Sequence, residues 1–245
     1  MKTIFTSLAL LVSVVTIAQD IDTIRVGHRF QHYDQLEKGT FNQLIFTEVQ
    51  GKKRFPVLKT ITVEEVERDG KTYLSVRHDW LSANPETNGS FSYLCEPGTL
   101  RPVSHVRRTQ QKGVEGYIFD GKSVQTLDTL VDNDLTDFKV DLEVPTYNWE
   151  IDIETYSLLP MREGYRAVMN FYHPGASTPP GYYLLEVEGS EQVTLPDGSS
   201  LDCWVVFTDY GGTQPTRFWY TKKGQNFVKM EGMYNQVAIY KLRVY

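Results

Sequence analysis

Residues 182–245 constrain the fold of this chain more than any other stretch. They consist of short runs rich in Val, Tyr, Phe and Trp, interrupted by turn-forming sequences such as Pro196-Asp197-Gly198 and Lys222-Lys223-Gly224. β-branched and aromatic residues are typical of strands, Pro presets φ at the start of a turn, and Gly accepts a positive φ. The segment therefore predicts an antiparallel meander. The predicted hairpins pair residues 188–195 with 201–209 and residues 216–221 with 226–231.

Side-chain alternation indicates how two of these strands are buried. Residues 237–244 carry apolar side chains at every second position, with Lys241 and Arg243 on the opposite face. This period of two is typical of a strand with one buried face. Residues 201–208 are apolar on both faces, which predicts a central strand that is covered on both sides.

The rest of the chain continues the pattern of strand runs and turns, with one exception. Further strands are predicted at residues 21–26, 44–49, 58–67, 72–80, 91–96, 101–109, 113–120, 122–127 and 164–173. The exception is residues 147–160, where Asn148 can cap a helix, acidic residues fill the first turn and Pro160 ends it. The sequence thus predicts a mostly β protein with one short helix.

The N-terminus has the features of a secretory signal peptide over residues 1–18. Lys2 is followed by an apolar run over 4–17, and Thr16-Ile17-Ala18 forms a small-x-small cleavage site. The apolar run is shorter than the ~20 residues of a membrane-spanning helix, so no transmembrane segment is predicted. The Ala18–Gln19 junction resembles that of exported Bacteroidetes proteins. We expect a periplasmic or secreted protein with a single β-rich domain over residues 19–245, and the weakest point for a boundary near 128–137.

Composition and cysteine content narrow the function further. The net charge is −6, and the only basic cluster is Arg101 with Arg107 and Arg108, which we interpret as a solvated strand face. Binding to nucleic acid is therefore not expected. The two cysteines, Cys95 and Cys203, would form a disulfide in an oxidising compartment or stay as two separately buried thiols. The sequence leaves both alternatives open.

No stretch carries a recognisable set of catalytic or metal-binding residues. His28 and His32 are four residues apart, but the segment lacks a helical pattern and a third ligand. The chain contains no Gly-x-Ser-x-Gly, His-Glu-x-x-His or Cys-x-x-Cys sequence. We therefore expect no enzymatic activity, no cofactor and no metal.

Several turn and aromatic patterns together resemble a known family. They lie at residues 95–102, 113–122, 158–165, 187–193, 196–198, 203–206, 218–220 and 228–231. The run Cys-Glu-Pro-Gly-Thr-Leu-Arg-Pro at 95–102 and the Cys-Trp-Val-Val at 203–206 are examples. This pattern resembles bacterial envelope proteins of domain of unknown function 3108, and the likeness extends over residues 73–245.

The resemblance implies a fold and suggests a function. The family is similar to periplasmic lipoprotein carriers, whose curved antiparallel sheet forms a half-barrel with a helix against its concave face. Residues 149–159 would be that helix. The leading hypothesis is a protein that binds an apolar ligand, such as a lipid or a lipoprotein acyl chain. Its predicted ligand-binding residues are Trp149, Tyr156, Trp204 and Trp219. The alternative is a non-catalytic structural or interaction protein that pairs with envelope proteins through its sheet edges, and it predicts a filled concave face and no cavity, whereas the leading hypothesis predicts an open apolar cavity.

Overall fold

The computed structural model describes residues 20–245, which form one curved, unclosed sheet of 16 strands. The predicted signal peptide, residues 1–18, lies outside the described residues. The strands are β1 (Ile21–Ile24), β2 (Gly39–Val49), β3 (Lys52–Arg68), β4 (Lys71–Ser82), β5 (Gly89–Cys95), β6 (Pro102–Thr109), β7 (Gly113–Phe119), β8 (Ser123–Thr126), β9 (Lys139–Asp141), β10 (Tyr147–Asn148), β11 (Arg166–Tyr172), β12 (Gly181–Thr194), β13 (Ser200–Thr208), β14 (Thr216–Thr221), β15 (Phe227–Tyr234) and β16 (Val237–Val244). The prediction of a mostly β protein is confirmed.

Two antiparallel meanders make up the sheet. One runs in chain order from β11 to β16, and the other from β2 to β9. They join where the C-terminal strand β16 pairs with β2, for example Tyr240 with Phe46. At one end of the sheet, β1 and β10 pair in parallel with β11. The predicted C-terminal meander is confirmed, whereas the β16–β2 pairing joins segments nearly 200 residues apart, which local patterns do not reveal.

A short helical segment packs against the concave face of the sheet. It consists of a 3₁₀ turn, Trp149–Ile151, followed by α1, Asp152–Tyr156. The Asn148 side chain caps it by accepting a hydrogen bond from the backbone N–H of Glu150 at 3.1 Å, as the sequence predicted. We call residues 149–159 the plug segment. Two further 3₁₀ turns lie at Tyr33–Gln35 and Pro85–Thr87.

The plug segment is part of the main hydrophobic core. Its apolar side chains are almost completely buried between the two meanders of the sheet: Ile151, Ile153, Tyr156, Leu158 and Leu159. Sheet residues that surround them include Ile61, Val76, Met169, Val206 and Phe218. The concave face of the half-barrel is therefore largely filled by the protein's own residues.

The two cysteines lie in separate hydrophobic cores on opposite faces of the sheet. On the outer face, Cys203 packs in a smaller core with Val205, Trp219 and Val228. Cys95 instead packs in the main core on the inner face. Both thiols are free and buried, so the disulfide considered from the sequence is wrong, and the alternative of two separately buried thiols holds. The same arrangement confirms that β13 is covered on both faces.

Strand β16 has the predicted alternation, but its charged face points inward. Lys241 pairs across the sheet with Met230 of the main core. Arg243 is ion-paired with Glu37 at 2.6 Å. Ile239 also faces inward and packs against the main core, whereas Tyr240 faces outward and stacks on Phe46 with ring centroids 5.0 Å apart. The two inward charges are compensated separately: Glu37 neutralises Arg243, and the charge of Lys241 favours the ionised form of Asp152 in the plug segment. Within residues 20–245, no helix has the length and apolar character needed to cross a membrane.

Candidate functional site

The plug segment carries three acidic side chains, each held by a residue of the sheet or a loop. Glu150 Oε1 lies 2.9 Å from His173 Nδ1. Asp152 Oδ2 accepts a hydrogen bond of 3.0 Å from the Tyr210 hydroxyl. Glu154 Oε1 lies 3.5 Å from His78 Nε2, and both side chains are buried. These contacts fix the plug segment in the half-barrel and orient His173 and Tyr210.

Strands β3 to β6 each place one buried polar side chain near the carboxylates of the plug segment: Lys59, His78, Tyr93 and His105. Burial, together with the charge of Lys59, lowers the pKa of His78 to about 4. Burial lowers the pKa of His105 to about 3, so both imidazoles are neutral near pH 7. Burial alone would raise the pKa of Glu154, but the contact with His78 and the charge of Lys59 lower it. The Tyr93 hydroxyl and both His105 nitrogens have no protein hydrogen-bond partner among the described residues. Buried groups of this kind usually bind enclosed water.

A cavity of about 410 Å³ lies at the N-terminal end of the plug segment. Five aromatic side chains converge on it from separate elements: Trp149, Phe171, Tyr183, Tyr210 and Tyr234. The remaining walls come from His173, Ala176, Thr178, Pro179, Thr213 and Gln214. β11 and β12 supply one side, and the loop after β13 with the end of β15 supplies the other.

The aromatic wall is preorganised by contacts between its own rings. Trp149 stacks on Tyr210 with centroids 4.5 Å apart and an interplanar angle of 28°. Tyr183 meets Trp149 edge-on at 4.7 Å. The Tyr210 hydroxyl also donates to Asp152, so Trp149, Tyr183 and Tyr210 are positioned by contacts within the protein.

The loop from His173 to Pro180 closes one side of the cavity and is anchored at its start. Arg107 Nη2 donates to the carbonyl of Pro174 at 3.1 Å and to the Tyr117 hydroxyl at 2.7 Å. A Cβ added at Gly175 would lie 2.5 Å from that hydroxyl, and its φ of +78° also favours glycine. Arg107 is buried, so its interpretation as part of a solvated strand face is wrong: Glu115 neutralises it at 2.6 Å.

The four predicted ligand-binding residues do not lie together. Trp149 lines the cavity, whereas Tyr156 is fully buried in the main core. Trp204 packs on the inner face under Lys222, whose ammonium lies 4.7 Å from the ring centroid. Trp219 lies on the outer face and donates to Glu191 at 2.9 Å. A ligand in this cavity would contact Trp149 but not Trp219.

Sequence reasoning missed most of the cavity. Phe171, Tyr183, Tyr210 and Tyr234 are spaced over more than 60 residues, and nothing local distinguishes them from the other aromatic strand residues. The single signal available was the Pro-rich loop over 174–180, whose Pro179 lines the cavity. In the part of the chain that the structure describes, no group of three or more His, Cys, Asp or Glu side chains is arranged to hold a metal.

A second concavity of about 520 Å³ lies on the outer face of the sheet. Phe46, Tyr240 and Leu242 line it, and its charges are mixed. For example, Lys229 is paired with Glu231 at 2.7 Å. Its balanced charges favour no particular class of ligand.

The fold and the cavity define a half-barrel protein with a filled concave face and an aromatic-lined site beside its plug segment. The beta-barrel-like protein of domain of unknown function DUF1849 from Brucella abortus has a similar fold, with a TM-score of 0.50 and 11% sequence identity. The match covers 85% of this chain and 97% of the Brucella chain. The hypothetical lipoprotein YmcC from Escherichia coli (K12) matches with a TM-score of 0.33 and 12% identity, over 82% of this chain and 86% of YmcC.

The family model of DUF3108, described as a protein of unknown function, matches residues 51–240. The chain belongs to this family, which confirms the resemblance seen in its turn and aromatic patterns. Comparison with curated proteins gives no match.

Proposed function

We propose that this protein is an exported envelope protein that binds a small, largely apolar ligand in the aromatic-lined cavity and catalyses no reaction. The observation that carries this proposal is the convergence of five aromatic side chains on one cavity of about 410 Å³. Ligand sites in proteins are typically clefts of roughly 300–1,000 Å³ with apolar and aromatic walls and a few polar groups. This cavity has that composition, with His173 and Gln214 as its main polar side chains.

The plug segment is unsuited to be displaced by a ligand. It buries five large apolar side chains, and each contributes about 1.5–3 kcal/mol. Exposing all five would cost roughly as much as the 5–15 kcal/mol that typically stabilises a whole domain. The proposed ligand therefore binds beside the plug segment and not in its place.

Native mass spectrometry of the mature protein, purified from its native envelope, tests the proposal. We expect a bound small molecule whose mass is lost after extraction with organic solvent. The variant Trp149→Ala should be purified without this bound ligand, because the substitution removes the largest ring of the cavity wall. Trp204→Ala is the matched control, since Trp204 lies outside the cavity and should leave the ligand bound. A wild-type protein free of ligand before extraction would contradict the proposal.

Pairing through sheet edges agrees with the filled concave face but not with the aromatic-lined cavity, and the edges themselves do not favour it. The edge strands are short: β9 has 3 residues, β1 has 4 and β10 has 2. Short edge strands are one of the ways in which proteins prevent pairing with other chains. Should the native protein carry no ligand, a search for protein partners would become the next experiment.

A further inference from the structure

We propose that the ligand is amphipathic, with an apolar chain ending in a carboxylate or carbonyl oxygen, and that His173 donates a hydrogen bond to this oxygen. The inference rests on the proposed binding function of the cavity and adds which residue contacts the polar end of the ligand.

The position of His173 supports this role. The side chain lines the cavity and is 41% exposed, so one part of the ring contacts Glu150 while the rest is accessible from the cavity. Its Nδ1 lies 2.9 Å from Glu150 Oε1, which fixes the ring orientation. No hydrogen bond to Nε2 is found among residues 20–245. An imidazole whose Nδ1 binds a carboxylate is held in one orientation and, once protonated, donates from Nε2.

Glu150 is suited to hold this histidine. Burial alone would raise the pKa of Glu150, but the hydrogen bond and charge of His173 hold it well below its usual range. The carboxylate therefore stays ionised and keeps Nδ1 engaged. Glu150 acts as a positioning residue, in the same way that Asp152 positions Tyr210 on the facing wall.

The remaining polar groups narrow the class of ligand. Among the described residues, the cavity lining contains no Lys or Arg. Recognition of a phosphate usually uses several cationic donors, often a bidentate Arg. A single histidine beside the Gln214 amide fits one carboxylate or carbonyl oxygen better. The rings of Trp149, Phe171 and Tyr183 then provide the surface for the apolar chain.

Calorimetric titration with two probes of equal chain length tests the inference. Decanoate has the acceptor oxygen and decylammonium lacks it, and both are used below their micelle concentrations at pH 6. We expect wild type to bind decanoate more tightly than decylammonium. His173→Phe keeps a ring but loses the donor and should weaken decanoate binding about tenfold or more, since a hydrogen bond to a charged group is worth roughly 1.5–3 kcal/mol. Its decylammonium binding should not weaken, since the Glu150 carboxylate stays beside the cavity.

Two controls separate the outcomes. His28→Phe replaces an exposed histidine that does not line the cavity and should bind both probes as wild type does. Circular dichroism shows whether each variant is folded. If Trp149→Ala abolishes decanoate binding but His173→Phe does not weaken it, the cavity function stands and the role of His173 is overturned. If wild type binds neither probe and carries no native ligand, both proposals fail.

Discussion

At the scale of single residues, the least expected feature is a lysine in the core. Lys59 is 4% exposed, on the inner face of β3, and burial lowers its pKa to about 8 despite the nearby charges of Glu154 and Asp152. Alternation places Lys59 on the same face as Ile61 and Val63, but a lysine at such a position is usually expected at the edge of the core and not within it. Its burial is explained by the acidic plug segment, which supplies compensating charge across the core.

Lys59 should make stability rise with pH in mildly alkaline solution. Its pKa is about 8 when folded and near 10.5 when unfolded, so the unfolded chain binds more protons in this window. Stability is therefore expected to increase by about 1 kcal/mol from pH 7.5 to 9 through this residue. Urea unfolding at several pH values gives the free energy of unfolding of wild type and of Lys59→Met. The difference between the two free energies isolates the effect of Lys59, because the other titrating groups contribute almost equally to both. The same pH slope in both proteins would contradict this assignment.

At the scale of elements, the plug segment depends on the sheet for its structure. A five-residue helix is not stable alone, because nucleation is costly and its terminal carbonyls lack partners. The sheet and the loop before β15 supply further hydrogen bonds to these carbonyls. Tyr220 donates to the carbonyl of Ile153 at 2.9 Å, and the Gln225 amide donates to that of Leu159 at 3.0 Å. Asn148 and Pro160 set the limits of the segment in the sequence, but its position comes from these contacts.

Tyr220→Phe should destabilise the protein by about 0.5–1.5 kcal/mol. The substitution keeps the ring in the core but removes one of the two hydrogen bonds that the Ile153 carbonyl accepts, the other coming from the backbone N–H of Ser157. Tyr240→Phe is a matched control, because Tyr240 lies on the outer face and its hydroxyl makes no hydrogen bond in the described structure. Chemical denaturation followed by circular dichroism measures both variants. Equal stability of the two would show that the Tyr220 hydroxyl does not hold the plug segment.

At the scale of the whole molecule, the sheet divides the protein into an inner and an outer compartment. Cys95 lies on the inner side and Cys203 on the outer side, so the sheet itself prevents a disulfide within the chain. Burial raises the pKa of Cys203 to about 11 and raises that of Cys95 further, which makes both thiols poor nucleophiles.

Alkylation should detect two unreacted thiols in the oxidised, purified protein. Iodoacetamide added in denaturant without reductant is expected to modify both Cys95 and Cys203, whereas the folded protein should react slowly at each. Intact-protein mass spectrometry counts the added groups. A denatured protein that reacts only after treatment with reductant would show a disulfide and contradict this arrangement.

Features that depend on near neighbours in the chain were predicted, whereas features that depend on long-range packing were not. Strands, turns and the plug segment were predicted because φ preferences, caps and alternation act between near neighbours. The face of β16 that carries Lys241 was not assigned to the interior, because alternation separates two faces without saying which one is inside. Arg107 was placed at the surface, although Glu115 and Tyr117 of the neighbouring strand neutralise and bury it.

Local sequence patterns were enough to predict a mostly β chain that resembles the DUF3108 family and has one short helical segment, bounded by Asn148 and Pro160. The join between β16 and β2, the separation of the cysteines and the cavity could be seen only in the folded molecule. The cavity gathers Trp149, His173 and Tyr234 from three parts of the chain. Its geometry depends on sheet curvature and on long-range pairing, and these arise from the packing of the whole core.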